Sequence, residues 1–239
     1  MNVARILSAL LLLSSLAGAA PQVVGPRGNP TAALPQKSGR LVIGVMGAAN
    51  PDQPTALLAK MRRLGGAIAK EGQVVLPGAC NGLPQAAILG AKEAGGSTIG
   101  ISPWRDMAAH KGAGSPTEGI DIMQFTRLPD AHRGQDRPNM MGRELDEIER
   151  SQALIFAGGR SGTLGEFSIA YEEGRAIGVL LGSGGVSNQL PSLVKTIIRA
   201  GKPARAPIIF DTDPNRLVKR LLKAMKTHPV EVGEQKWQG

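Results

Sequence analysis

Residues 153–167 read ALIFAGGRSGTLGEF, and this stretch predicts a strand, a glycine-rich turn and a helix in succession. Residues 153–157 form a short, continuous apolar run, which is typical of a strand that is buried on both faces. Glycines then interrupt the run, and residues 163–174 have the composition of a helix. A buried strand that leads through a glycine-rich turn into a helix is the repeating unit of an α/β fold.

The same alternation continues on both sides of this stretch. We predict further strands at residues 41–46, 74–76, 97–102, 120–125, 177–181 and 207–210, and helices at residues 54–71, 83–94, 139–151, 190–200 and 214–226. Residues 103–138 are less regular, with loops rich in Pro, Gly, His and charge. The pattern predicts a single-domain α/β fold: a Rossmann-like, doubly wound parallel sheet with helices on both faces.

Glycine-containing turns follow three of the predicted strands. In a doubly wound sheet, ligands bind beyond the carboxyl ends of the strands, near the point where the strand order reverses. This rule selects the turns after Met46, Leu76 and Ala157. The binding residues predicted in the first two of these turns are Gly47, Gly78, Asn81 and Gly82.

The third turn has the features of a phosphate-binding loop. Glycines let backbone N–H groups approach an anion, and the start of the following helix adds free N–H groups and partial positive charge. We predict that this loop binds a phosphorylated, nucleotide-like ligand, and that Thr163 caps the helix. The predicted contacts are Gly159, Arg160, Ser161, Gly162 and Thr163. The loop lacks the Lys of a P-loop and the spaced glycines of a dinucleotide-binding fingerprint.

Two charged residues have alternative interpretations. Glu166 lies about one turn into the predicted helix, where a carboxylate either faces the ligand or serves a capping box or the helix dipole. Arg143 either contacts the ligand or is a solvated helix arginine paired with a neighbouring Glu. Cys80 is the single cysteine, so no disulfide forms within the chain, and we expect a small buried residue rather than a nucleophile.

The composition limits the classes of ligand, partner and cofactor that we expect. The net charge of +9 favours anionic ligands, although Lys and Arg are scattered along the chain. Aromatic residues make up 3% of the chain, which argues against a platform for single-stranded nucleic acid. Because no recognised nucleic-acid motif is present either, we expect no nucleic-acid partner. No Cys/His cluster has the spacing of a metal site, and we expect no metal or redox cofactor.

The N-terminal segment has the pattern of a secretory signal. Arg5 precedes a mostly apolar stretch, and Ala17-Gly18-Ala19 offers a small-residue cleavage site. We expect residues 1–20 to be a signal peptide for export, too short for stable membrane insertion, with a cytoplasmic location as the alternative. Residues 21–39 have the Pro/Gly-rich composition of a poorly ordered linker, residues 40–228 form the folded domain, and residues 229–239 are a C-terminal tail.

The loop also resembles a known family signature. Residues 159–166, GRSGTLGE, are similar to the P-G-G-x-G-T-x-x-E signature of the LONELY GUY (LOG) family and its lysine-decarboxylase-like and molybdenum-cofactor-carrier-like relatives. That family has an Arg, followed by Lys or Asn, about two helical turns before the preceding strand, and Arg143-Glu144 lies at that distance. Residues 77–84 and 94–103 resemble further family segments. The resemblance covers residues 40–225.

The chain departs from the family pattern at several positions. Gly158 replaces the signature proline, Arg160 the second glycine, Glu144 the Lys or Asn, and Gln152 an Asp before the strand, while Leu83-Pro84 replaces Leu-Met. The resemblance implies hydrolysis of the N-glycosidic bond of a nucleoside 5′-monophosphate, with Glu166 and Arg143 as catalytic residues, and a homodimer. The alternative is a non-catalytic protein that binds or carries a nucleotide or the molybdenum cofactor.

Overall fold

The computed structural model describes residues 20–24, 39–126 and 138–227, in which strands and helices alternate. The strands are β1 (Gln22–Val24), β2 (Val42–Gly47), β3 (Val74–Leu76), β4 (Ser97–Ser102), β5 (Ile122–Phe125), β6 (Ala153–Ala157), β7 (Ala176–Leu180) and β8 (Ile208–Asp211). The helices are α1 (Thr55–Lys70), α2 (Leu83–Glu93), α3 (Met107–Gly112), α4 (Met140–Arg150), α5 (Ser161–Glu172), α6 (Leu190–Arg199) and α7 (Pro214–Thr227). A 3₁₀ turn covers Val186–Asn188.

These strands form one parallel sheet in the order β1-β5-β4-β3-β2-β6-β7-β8. The order reverses at β2, which pairs with β3 on one side and with β6 on the other. The predicted Rossmann-like, doubly wound sheet is therefore confirmed. Ligands in such sheets bind beyond the carboxyl ends of the strands that flank the reversal, which are here β2 and β6.

Side chains of successive strand residues point to opposite faces, and each face packs against its own helices. Ile43 and Val45 of β2 lie in the core that also contains Met61 of α1 and Leu217 of α7. Phe156 of β6 lies on the other face, where Phe167 of α5 meets it edge to face with ring centroids 5.6 Å apart. Burial on both faces explains why the central strands read as continuous apolar runs.

Two elements were not predicted. β1 lies inside the stretch that was interpreted as a linker, and it pairs in parallel with residues 122–124 of β5. α3 lies in the region predicted as irregular, and Asp106 caps it by accepting a hydrogen bond from the backbone N–H of Ala109 at 2.8 Å. The predicted signal peptide, most of the predicted linker and the C-terminal tail lie outside the described residues. None of the described helices is long and apolar enough to cross a membrane.

Candidate ligand-binding site

The turns after β2, β3 and β6 lie together at the carboxyl edge of the sheet. A Cβ atom on Gly47 would lie 2.5 Å from the carbonyl oxygen of Ala157, so the ends of β2 and β6 approach through backbone. The N–H of Leu83, at the start of α2, donates to the carbonyl oxygen of Ala48 at 3.0 Å. Gly82, with φ of +78°, precedes that helix and packs directly against the same turn. Close backbone packing at Gly47 and Gly82 thus shapes this edge.

Hydrogen bonds to Ser183 and to the 3₁₀ turn hold the loop between β6 and α5 in place. Gly158 and Gly159 both have left-handed backbone, with φ of +61° and +82°. Gly158 donates its N–H to Ser183 Oγ at 2.8 Å, and its carbonyl accepts from Ser187 Oγ at 2.8 Å. The carbonyl of Gly159 accepts from the N–H of Val186 at 3.0 Å. These bonds fix the peptide groups that lead into α5.

Helix α5 begins at Ser161, with Arg160 as the N-cap residue and no side-chain capping bond. The prediction that Thr163 caps the helix is wrong, because Thr163 is the third helical residue and its buried side chain packs against Gly159. The first N–H groups of an α-helix have no acceptor within the helix. Since Arg160, Ser161 and Gly162 are exposed, the N–H groups of this first turn are open to an anion.

Arg143 lies at the centre of a buried charge cluster between α4 and α5. Its Nη1 donates to Glu147 Oε1 at 3.0 Å. Its Nη2 donates to Glu144 Oε1 at 3.3 Å and lies 3.6 Å from Glu166 Oε1. Arg143 is 8% exposed, Glu166 4% and Glu147 0%, so water screens these charges little. Three carboxyl groups therefore surround one guanidinium.

This geometry decides between the alternative interpretations of Arg143 and Glu166. Arg143 does pair with neighbouring glutamates, but it is buried, so the solvated-arginine interpretation is wrong. Glu166 is the sixth residue of α5, beyond the first turn where a capping box or the helix dipole would use it. Glu166 instead faces Arg143 across the two helices.

Burial changes the protonation of the cluster. Burial raises the pKa of Glu166 to about 7, and Arg143 offsets only part of that effect. Burial likewise raises the pKa of Glu144, and it holds that of Glu147 well above its ordinary value. Burial opposes the charge on Arg143, but the carboxylates, led by Glu147, raise its pKa overall, so the guanidinium stays charged. The cluster combines one permanent cation with three carboxyl groups whose pKa values burial raises.

The turn after β3 forms one wall of the cluster. A Cβ atom on Gly78 would collide with the guanidinium of Arg143 and lie 2.7 Å from Glu147 Oε1, so a side chain at this position would displace the charge cluster. Burial raises the pKa of the nearby Cys80 thiol to about 12, which keeps it protonated and unreactive. Asn81 is exposed, and its Nδ2 donates to the carbonyl oxygen of Gly114 at 3.5 Å.

Glu147 is the residue that sequence reasoning missed. It is fully buried, and within the described part of the chain neither its Oε2 nor Arg143 Nε has a hydrogen-bond partner. The signal was present in the sequence, because Glu147 follows Arg143 at the i,i+4 spacing of a helical ion pair. The described residues contain no group of three or more His, Cys, Asp or Glu placed to hold a metal ion.

A model of the SLOG cluster4 family matches residues 40–218. The chain belongs to the SLOG cluster4 family. The resemblance to the LOG-like superfamily of Rossmann-like proteins, inferred from the loop, is thereby confirmed. The match includes all three turns and both helices of the charge cluster.

Three proteins illustrate the similarities of this SLOG cluster4 chain. An uncharacterized protein of Archaeoglobus fulgidus is 32% identical over 138 residues, which cover 58% of this chain and 78% of that protein. The molybdenum cofactor carrier protein of Chlamydomonas reinhardtii is 26% identical, with a TM-score of 0.56, over 78% of this chain and 99% of the carrier. The single-stranded-DNA-binding DNA processing protein A of Helicobacter pylori is 18% identical, with a TM-score of 0.51, over 77% of this chain and 80% of its own, and shows the shared fold alone.

Proposed function

We propose that this protein binds a phosphorylated ligand of the nucleotide or molybdenum-cofactor class, with the phosphate group on the first turn of α5. One observation carries the proposal: the N-terminus of α5 is exposed and has no side-chain cap, and it lies where the strand order reverses. Gly158 and Gly159, both with positive φ, lead into it. Free N–H groups and the helix dipole act together on an anion at such a position. The similarity to a molybdenum cofactor carrier over nearly the whole carrier supports this ligand class.

The charge cluster favours binding without hydrolysis. Each terminal nitrogen of the Arg143 guanidinium already faces a carboxyl group, so this cation is not free to hold a phosphate or a departing base. The predicted export also favours binding without hydrolysis, because free nucleoside monophosphates are mainly cytoplasmic. A carrier or binding protein requires only the loop and a pocket, and no reacting group.

Glu166 favours a second candidate function, the hydrolysis of a nucleoside 5′-monophosphate to a base and ribose 5-phosphate. Cleavage of an N-glycosidic bond passes through an oxocarbenium-like sugar, which a nearby carboxylate stabilises. A buried carboxyl group with a pKa of about 7 also suits a residue that orients or deprotonates water. This activity is the one that the LOG-family resemblance implies.

One experiment separates the two candidates. Purified protein is titrated by calorimetry with a panel of nucleoside monophosphates and with molybdenum cofactor released from a donor enzyme, and each nucleotide mixture is assayed for ribose 5-phosphate. We expect binding without release of ribose 5-phosphate. The Glu166→Ala variant is compared with Glu173→Gln, which changes an exposed residue at the far end of α5. Turnover that is lost in Glu166→Ala and kept in Glu173→Gln would establish hydrolysis, and a lack of binding to every ligand would reject both functions.

We also propose that the protein is exported and that its first 19 residues are removed. Cleavage after Ala19 removes Arg5 and no acidic residue, which changes the net charge from +9 to +8 because 9 − 1 = 8. The cleavage leaves β1, which begins at Gln22, intact. Intact-mass measurement of protein from the native cells tests this proposal, and an unprocessed N-terminus would contradict it. The expected absence of a nucleic-acid partner stays a prediction.

A further inference from the structure

The carboxylate of Glu144 lies beside the proposed phosphate position. A Cβ atom built on Gly162, the second residue of α5, would lie 3.3 Å from Glu144 Oε1. Glu144 follows Arg143 on α4, and its side chain is 18% exposed, so it lies between the buried cluster and solvent. α4 therefore places an acidic group of the protein next to the exposed first turn of α5.

A bound phosphate and the carboxylate of Glu144 would compete for the same helix N-terminus. The partial positive charge of a helix N-terminus acts within the first turn, and Glu144 already lies against that turn. A phosphate dianion on the N–H groups of Ser161 and Gly162 would face the carboxylate of Glu144 at short range, where repulsion is strong. Protonation of Glu144 removes this repulsion and adds an O–H group that donates to the anion.

We infer that Glu144 controls anion binding at the loop, so that a phosphate group binds tightly only when the Glu144 carboxyl is neutral or displaced. This inference rests on the proposed function, since it concerns the same phosphate position. The affinity of the loop for a divalent tetrahedral anion then rises as the pH falls. A ligand that carries its own cationic group beside the phosphate escapes this penalty.

The surroundings of Glu144 favour the neutral form of its carboxyl group. Burial raises the pKa of its carboxyl group, and the ion pair with Arg143 opposes that effect. Glu166 faces the same guanidinium from α5, and Glu147 contacts it from α4. Arg160, the exposed N-cap residue, adds a positive charge at the mouth of the loop. Several carboxyl groups thus share one buried cation, which favours the neutral form of at least one of them.

Sulfate is the probe, because it stays a dianion throughout the pH range of the experiment whereas phosphate titrates. Any change of sulfate affinity with pH therefore comes from protonation of the protein and not of the ligand. Sulfate is titrated into the full-length ¹⁵N-labelled protein at about pH 5 and about pH 8. The backbone amide shifts of Gly159, Ser161 and Gly162 report binding at the loop. The wild-type protein is compared with Glu144→Gln and with Glu149→Gln, which changes an exposed residue near the other end of α4.

We expect wild-type and Glu149→Gln protein to bind sulfate about tenfold more weakly at the higher pH, and Glu144→Gln to bind about equally at both. Glu144→Ala, which shortens the side chain, gives the same result if the glutamine variant folds poorly. Equal binding by wild type and both Glu144 variants, or an unchanged pH dependence in those variants, would overturn the role of Glu144 and leave the phosphate site standing. No amide shift in any protein, with sulfate or with a nucleoside monophosphate, would overturn the site itself.

Discussion

Arg143 Nη2 lies 3.6 Å from Glu166 Oε1, and this ion pair joins α4 to α5 across the carboxyl edge of the sheet. The two residues are 23 positions apart in the chain, because 166 − 143 = 23, and the strand β6 lies between their helices. Both side chains are buried, so their protonation contributes directly to folding stability.

The first prediction concerns the pH dependence of stability. Burial raises the pKa of Glu166 from 4.5 to about 7, so between these values the unfolded chain loses a proton that the folded chain keeps. The folded state is favoured below pH 4.5, and that advantage is lost as the pH rises through about 7. We expect the Glu166 carboxyl to contribute a fall in the free energy of unfolding on the order of 3 kcal/mol across this window.

Urea unfolding of wild type, Glu166→Gln and Glu173→Gln at a series of pH values measures this contribution. The Glu166→Gln variant should lose less stability than the other two proteins as the pH rises. Parallel curves for all three would show that Glu166 ionises with an ordinary pKa in the folded state.

The second prediction concerns a buried histidine away from the site. His110 Nε2 lies 3.0 Å from the carbonyl oxygen of Pro116, which only accepts, so this nitrogen carries the proton. His110 Nδ1 then accepts from Ser102 Oγ at 2.9 Å, while Ser102 Oγ also accepts from the N–H of Trp104. Burial lowers the pKa of His110 below 6.5, and the bond to Pro116 offsets only part of that. Its stabilising effect is present above pH 6.5 and is lost as the pH falls through the lowered pKa.

Two measurements test this arrangement. The ring protons of His110 should titrate in NMR spectra with a midpoint below 6.5. Ser102→Ala should lower the free energy of unfolding at neutral pH by about 1–2 kcal/mol, because it leaves a buried ring nitrogen unpaired. Ser168→Ala, at an exposed position of α5, is the control and should change little. An ordinary titration midpoint would contradict the lowered pKa of His110, and an unchanged stability of Ser102→Ala would contradict the hydrogen bond to Nδ1.

The sequence predicts the central sheet well because each of its strands is buried on both faces. The strands predicted at residues 97–102 and 153–157 have the same limits as β4 and β6. The strand β1 could not be predicted in this way, since three residues in a proline-rich stretch form a strand only by pairing with β5. α3 was missed because six residues are too short to show a helical period.

The site is less predictable from sequence than the sheet. The glycines of the loop mark a turn, but they do not show that Gly158 and Gly159 both adopt positive φ and that α5 begins at Ser161. The prediction for Thr163 failed for this reason. The contact between Arg143 and Glu166 depends on two helices that meet only in the folded protein. The family resemblance, and not the spacing in the sequence, indicated that both residues belong to one site.

The third prediction concerns self-association. Helix α4 exposes Met141 at 66% and Leu145 at 51%, next to the residues of the charge cluster. Exposed apolar side chains that cluster on one helix are typical of a protein interface. We expect a homodimer that uses this face, and we expect Met141→Lys combined with Leu145→Lys to shift it toward monomer. Light scattering after size-exclusion chromatography measures the mass, and a wild-type protein that is monomeric at high concentration would contradict the prediction.

The last prediction compares two glycines that lie six residues apart in the chain, because 165 − 159 = 6. Gly159 has φ of +82°, and a Cβ atom there would collide with the side chain of Thr163. Gly165 lies within α5, and a Cβ atom there would meet nothing within 4 Å. Gly159→Ala should therefore lower the free energy of unfolding by about 1–3 kcal/mol, whereas Gly165→Ala should leave it unchanged or raise it by about 0.5–1 kcal/mol.

The same pair of variants tests the loop as a binding site. Gly159→Ala must move either Thr163 or the peptide groups that lead into α5, so it should weaken binding of the phosphorylated ligand even under conditions where the variant is fully folded. Gly165→Ala leaves the first turn of α5 as it is and should bind like the wild type. Chemical denaturation and calorimetric titration of the two variants provide both measurements. Equal ligand affinities for a folded Gly159→Ala and a folded Gly165→Ala would place the phosphate group elsewhere, because a cradle made of these N–H groups depends on the backbone that Gly159 sets.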